Sequence, residues 1–234
     1  MSEQPSYLKD ISLIIHPDGE TTVSEETLLK WFDFLGGKPG EVVLVDNGSH
    51  IEVQDAYWTL FHKRLIDKLQ LSQPSYREQA QAEEHIQIYM EGSIACKPYI
   101  LWFSTHLIPH RQGQDDWLKE AIGYLDRDEV MAVSSSLNAP KYHNAWDGWY
   151  YSRQCNLNFA LMKWNTFIDA THEYADRYIT AGFIGENPAE AEGNGKDMVK
   201  LALDRYIDSR KLYVLCKAED SHWTIQQQVF ESIA

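Results

Sequence analysis

Short apolar runs alternate with longer segments in which apolar residues recur every three or four positions, and this alternation organises the first half of the chain. The run Ile11-Ser12-Leu13-Ile14-Ile15 is short and rich in β-branched residues, and His16-Pro17-Asp18-Gly19 closes it. It predicts a buried strand entering a turn. Ser24 is placed to cap a helix whose first turn carries Glu25 and Glu26, and Gly36-Gly37 stops it. Val42-Val43-Leu44-Val45 predicts a second strand, ending in the turn sequence Asp46-Asn47-Gly48-Ser49. Helical spacing returns from Glu52 to Leu69, through Val53, Tyr57, Phe61 and Leu65. It returns again from Tyr76 to Ile94, with Gln79, Ala82, Ile86 and Met90 on one face. Tyr99-Ile100-Leu101-Trp102-Phe103 reads as a third buried strand ending at Ser104-Thr105-His106. A helix from about Asp115 to Leu125 and a short strand, Val130 to Val133, follow.

Strands separated by helices of this length predict an α/β fold with a mainly parallel central sheet and helices on both faces. Ligands of such sheets lie outside the carboxyl ends of the strands. The turns that matter are therefore His16 to Gly19, Asp46 to Ser49 and Ser104 to His110. The pattern changes beyond Ser134. Tyr142 to Tyr151 packs Tyr142, Trp146, Trp149, Tyr150 and Tyr151 into one stretch with little periodicity. Asn156 to Lys163 suits another strand, Gly185 to Gly195 is an acidic, Gly-rich loop, and Asp197 to about Asp208 suits a helix before a strand from Leu212 to Cys216. No repeat or interdomain linker interrupts the 234 residues, so one domain spanning 1–234 is expected.

Composition narrows the function. The net charge of −14 argues against a basic face for nucleic acid. Cys96, Cys155 and Cys216 show no ligand-like spacing, which argues for reduced thiols and a cytoplasmic compartment. No apolar run approaches the roughly 20 residues of a membrane span. Eight Trp and thirteen Tyr are a heavy aromatic load, suited to stacking on sugar rings as well as to a core.

Taken in order, these segments resemble the family-2-type glycosyltransferases of the GT-A fold, a Rossmann-like architecture. The matching residues are Ser12-Leu13-Ile14-Ile15-His16-Pro17, Leu44-Val45-Asp46-Asn47-Gly48-Ser49 and Tyr99 to Pro109. More loosely, Asn158 to Lys163 and Gly195-Lys196-Asp197 with the helix behind it are similar to the family's later motifs. The resemblance implies a nucleotide-sugar-binding half at about 10–136 and an acceptor and catalytic half at about 137–234. It implies transfer of a sugar from a nucleoside diphosphate donor to an acceptor hydroxyl, on a glycan or another acceptor. Two alternatives stay open: a non-catalytic nucleotide-sugar or glycan-binding member of the fold, and a nucleotidyltransferase.

The resemblance also implies roles. Asp46 would read the base, with Pro17 and Ser104 beside the nucleotide. Asp197 would deprotonate the acceptor hydroxyl, and Glu186, Glu190 and Glu192 in the preceding loop are further carboxylates in reach. Where the family carries Asp-x-Asp for a divalent cation, this chain has Ser104-Thr105-His106. His106 and His222 are therefore the expected metal ligands, and an imidazole pair suits Mn²⁺ better than Mg²⁺. Trp146, Trp149 and Tyr150 would seat the acceptor. As structural residues, the same positions would be a turn Asp, a strand-ending Ser, a helix-capping Asp and packed aromatics.

Overall fold

The structure is a computed structural model that describes residues 5–17, 22–72, 84–112, 116–137, 142–146, 148–183, 198–218 and 222–227. Along the chain it runs β1 (Ile11–His16), α1 (Glu25–Leu35), β2 (Glu41–Asp46), α2 (Ile51–His62) and β3 (Lys68–Leu71). Next come α3 (Glu84–Ser93), β4 (Tyr99–Ser104), β5 (Leu107–Arg111), α4 (Trp117–Tyr124) and β6 (Val130–Ser134). A hairpin of β7 (His143–Trp146) and β8 (Trp149–Ser152) leads to β9 (Phe159–Lys163), α5 (Trp164–Tyr174) and α6 (Asp176–Phe183). The last elements are α7 (Met198–Arg210), β10 (Tyr213–Lys217) and β11 (Trp223–Gln227).

Nine of these strands form one sheet in the order β3-β2-β1-β4-β9-β6-β10-β8-β7, while β11 and β5 form a two-stranded ribbon. The strands β3, β2, β1 and β4 pair in parallel, as do β6 and β10. β9 runs antiparallel between β4 and β6, and β8 antiparallel between β10 and β7. Only β9 and β8 therefore run against the common direction, and the expected mainly parallel sheet is present. Alternation along each strand feeds two apolar layers. Leu13, Ile15, Leu44, Leu101 and Phe103 face α1, α2 and α4, whereas Ile14, Val43, Trp102 and Met162 face α3, α5 and α7.

Local signals set α1 as expected. The Ser24 hydroxyl accepts the Thr27 N–H at 3.1 Å, Glu25 and Glu26 favour the positive end of the helix dipole, and Gly36 takes φ 86° at the stop. Its buried Leu28, Trp31, Phe32 and Leu35 recur at helical spacing. The Trp31 ring stacks on Phe103 at 4.2 Å, fixing α1 over the centre of the sheet.

Elsewhere the expected boundaries need correction. The helix expected from Glu52 to Leu69 ends at His62, because Arg64 turns left-handed at φ 58° and the Leu65 N–H returns to the Leu60 carbonyl. Lys68 to Leu71 then joins the sheet as β3. On α3, Ile86 is buried and packs with Ile179 and Met90, as expected, and the helix also buries His85, Gln87 and Glu91 beside Ile88. Residues 76–83 of that expected helix lie outside the described residues. The aperiodic aromatic segment is a hairpin, turning at Gly148 with φ 72°.

Candidate functional site

Because the strands share a direction, their carboxyl ends gather on one side of the sheet: His16 of β1, Asp46 of β2, Ser104 of β4, Ser134 of β6 and Lys217 of β10. Apart from Lys217, these ends are small or hydrogen-bonding residues, and most are held by neighbouring strands. Ser104 is buried, donates its hydroxyl to Asn158 Oδ1 at 3.1 Å and its N–H to the Asn158 carbonyl at 2.8 Å. The Thr105 N–H donates to the His16 carbonyl, and the Ser134 hydroxyl to the Phe159 carbonyl at 2.6 Å. The antiparallel start of β9 thus stitches β4 to β6 at the rim.

Asp46 is fully buried. Its carboxylate accepts the Gly48 N–H at 3.0 Å, the Ser49 N–H at 3.0 Å and the Gln54 side-chain amide at 2.8 Å. The same Gln54 amide donates to the Ser72 carbonyl, so α2, the β2 turn and the end of β3 meet on this residue. A carboxylate engaged in this way shapes the turn, and whatever a base meets there is the turn it builds. Pro17 follows β1 half-buried, beside the same rim.

The chain places a histidine–carboxylate pair at the centre of this rim that sequence reasoning missed. His16 Nδ1 lies 3.0 Å from Glu91 Oε2, and Glu91 is fully buried. Gln87 donates to Glu91 at 3.0 Å and to the Val45 carbonyl at 3.1 Å. The network joins the ends of β1 and β2 to α3. His16 is visible beside Pro17 in the first turn, but Glu91 is 75 residues away on α3, and no local pattern pairs the two.

The two expected metal ligands separate. His106 sits in the turn that enters β5, opposite no residue of β11 before Gln227, which pairs with Leu107. The Gln112 N–H donates instead to the His222 carbonyl. The two histidines stand six residues apart along the ribbon, about 20 Å at ~3.3 Å per residue. That exceeds what two imidazoles and metal–nitrogen bonds of about 2.1 Å can span, so His106 and His222 do not share an ion. Among the described residues no three His, Cys, Asp or Glu side chains converge on a point. With the Ser104 hydroxyl donated to Asn158, the turn after β4 does not fit a cation held as an acidic pair would hold it.

The aromatic segment also divides. Trp149 and Tyr150 are 5% and 8% exposed and belong to opposite apolar layers, so neither offers a ring face to an acceptor. Trp146 is half-buried and carries Arg127 4.4 Å over its ring. Burial pushes the Tyr150 phenol up to about 12, with the neighbouring Cys216 adding to it. Asp197, Glu186, Glu190 and Glu192 lie outside the described residues.

No family model matches the sequence, and no curated protein is similar to it. Among solved structures, the chain is similar to a mannosyltransferase from Pyrobaculum calidifontis, solved with GDP-Man and Mn²⁺ (16% identity over 71% of this chain and 46% of that one, TM-score 0.46). It is also similar to GalNAc-T7, solved with UDP, GalNAc and Mn²⁺ (10% identity over 93% of this chain and 43% of that one, TM-score 0.54). The chain spans less than half the length of either. Its fold is the GT-A fold of glycosyltransferases. Among the described residues no helix is long and apolar enough to cross a membrane.

Proposed function

We propose that this protein is a glycosyltransferase that moves a sugar from a nucleoside diphosphate donor to an acceptor hydroxyl. The observation that carries the reading is the sheet itself: β3-β2-β1-β4 in parallel, then antiparallel β9, with the polar strand ends gathered on one rim. In this reading the donor's nucleotide lies across the rim formed by Pro17, the Asp46 turn and Ser104. The His16–Glu91 pair supplies an imidazole held in one orientation beside it. Asp197 accepts the acceptor's proton as its oxygen attacks the anomeric carbon. No step is routed through a divalent cation, because Ser104-Thr105-His106 stands where the family carries its acidic pair.

A thermal-shift screen of nucleoside diphosphates and nucleotide-sugars tests the reading. A donor present at about a hundred times its dissociation constant adds roughly 2.7 kcal/mol of stability. The absence of any stabilising nucleotide would end it. Asp197→Asn should then keep donor affinity and lower transfer by on the order of a hundred-fold or more. The turn after β4 favours a second reading, a non-catalytic nucleotide-sugar-binding member of the fold, since its serine is already engaged with Asn158. Donor binding without transfer to any of a panel of acceptors would select it.

A further inference from the structure

We propose that two copies of this chain join through the outer edge of β3, so that one sheet runs through both and α2 packs antiparallel against the partner's α2. The pairing is independent of the transferase reading. The sheet ends at β3 on one side and at β7 on the other. An edge strand invites pairing with another chain unless something blunts it. β7 shifts register between Asn144 and Trp146, an irregularity that blunts an edge. β3 pairs with β2 in unbroken register, and among the described residues no strand pairs with its other side. The charge that could guard this edge is drawn inward. The Lys68 ammonium lies 2.8 Å from Glu41 and also donates to the Ile94 carbonyl.

α2 extends the edge with apolar side chains. Gln54 marks the side of the helix that faces β3, since its amide reaches the Ser72 carbonyl at 2.7 Å. Lys63, on the opposite side, pairs with Glu25 of α1. Ile51 and Trp58 stand one turn before and one turn after Gln54, so they project on the β3 side. They are 53% and 48% exposed, and Leu71 at the end of β3 is 37% exposed. Large apolar side chains gathered in this way mark an interaction surface.

Self-complementarity selects a second copy as the occupant. Leu69 packs into the layer that holds α2, whereas Gln70 reaches Met90 of α3 on the other face. Leu69 and Leu71 therefore share the α2 face. A two-fold axis through Gln70, normal to the sheet, sets Leu69 opposite the partner's Leu71 in an antiparallel pair on that face. The Gln54–Ser72 bond fixes the level of helix against strand. From Ser72 back to Gln70 is about 6.6 Å at ~3.3 Å per residue, or about four residues of helix at ~1.5 Å each. α2 connects the parallel strands β2 and β3 and so runs opposite to them, which puts Trp58 on the same axis. That axis sets Asp55 beside the partner's His62 and Glu52 beside the partner's Arg64, and all four positions are exposed. Acid in the first half of the helix and base at its end thus complement a copy that runs antiparallel.

Sedimentation equilibrium of the full chain from about 1 to 100 µM tests the pairing, and a species of two chains is expected. Trp58→Ser and Leu71→Lys should each raise the dissociation constant by about tenfold or more. Asp55→Arg and His62→Glu each place like charges across the axis and should weaken association. Combined in one chain they restore opposite charges, and association should recover to within about threefold of wild type. All four side chains are exposed, and circular dichroism spectra matching wild type would show that the variants are folded. A chain that stays monomeric at about 100 µM overturns the proposal. So does a dimer indifferent to both Trp58→Ser and Leu71→Lys, or a charge exchange that fails to recover association.

Discussion

The two ends of the same sheet spend their polar groups differently. At the amino end, Glu41 opens β2 almost wholly buried and gathers four donors. They are the Ser12 hydroxyl at 2.6 Å, the Cys96 N–H at 2.9 Å, the Cys96 thiol at 3.0 Å and Lys68 at 2.8 Å. One carboxylate ties β1, β2, β3 and the approach to β4, and its opposite charge is supplied on the spot. At the carboxyl end, Asp46 and Glu91 are equally buried. Asp46 accepts from turn amides and the Gln54 amide, and Glu91 accepts from the Gln87 amide beside the His16 imidazole. Here the buried carboxylates hold a turn and a histidine, at the rim where a ligand of a parallel sheet lies. The amino end is built to hold the sheet together, the carboxyl end to present a surface.

The largest effect that follows is on Glu41. Glu41→Ala leaves Lys68 and three other donors without their acceptor and should cost about 3 kcal/mol. For a chain of this length that is a fall of about 6–12 °C in Tm, measurable by calorimetry. Nucleotide affinity of the folded remainder should not change. The pH dependence has a definite sign. Burial pushes the Glu41 carboxyl up, but hydrogen bonds from Lys68, Ser12 and Cys96 outweigh it and hold its pKa at about 2. The unfolded chain then binds the proton first as pH falls, so this stabilisation is complete above the ordinary value of 4.5 and is lost between there and about 2. Glu41→Ala should flatten that limb in denaturant melts taken at pH 6 and pH 3. A variant as pH-dependent as wild type would show that the knot carries no such weight.

A smaller effect belongs to Asp46. Asp46→Ala strands the Gly48 and Ser49 amides and should cost about 2 kcal/mol while keeping the fold. Nucleotide binding should weaken with it, because the turn changes shape; a folded variant with wild-type nucleotide affinity would take the β2 turn out of the site. The smallest stability effect is expected at Glu91. Glu91→Gln retains a hydrogen-bonding side chain beside His16 and should cost about 1 kcal/mol. If the carboxyl end serves a ligand, its donor affinity should fall more than its Tm suggests. Equal losses of stability at Glu41 and Glu91, with unchanged donor binding in both, would erase the contrast between the two ends.

Much of this was legible in the chain because the signals are local. Ser24 with Glu25, Glu26 and Gly36 specifies α1 from one cap to the other, and the β-branched runs of β1 and β2 end in turns that Pro17 and Asn47-Gly48 make unavoidable. The gathering of their ends on one rim follows from a shared strand direction, which alternating helices impose. What the sequence could not state was set by partners distant along the chain. β9 enters the sheet antiparallel between β4 and β6, a pairing its own residues do not encode, since parallel and antiparallel buried strands read alike. Glu91 became a partner of His16 only when α3 settled on β1 and β2, and the same packing turned its polar face inward. The register of β5 against β11 parted His106 from His222, because an extended ribbon keeps residues apart in proportion to their place along it. Local propensity therefore determined the elements and their polar ends. Tertiary packing decided which of those ends meet, because a hydrogen bond depends on distances in space that sequence separation does not fix.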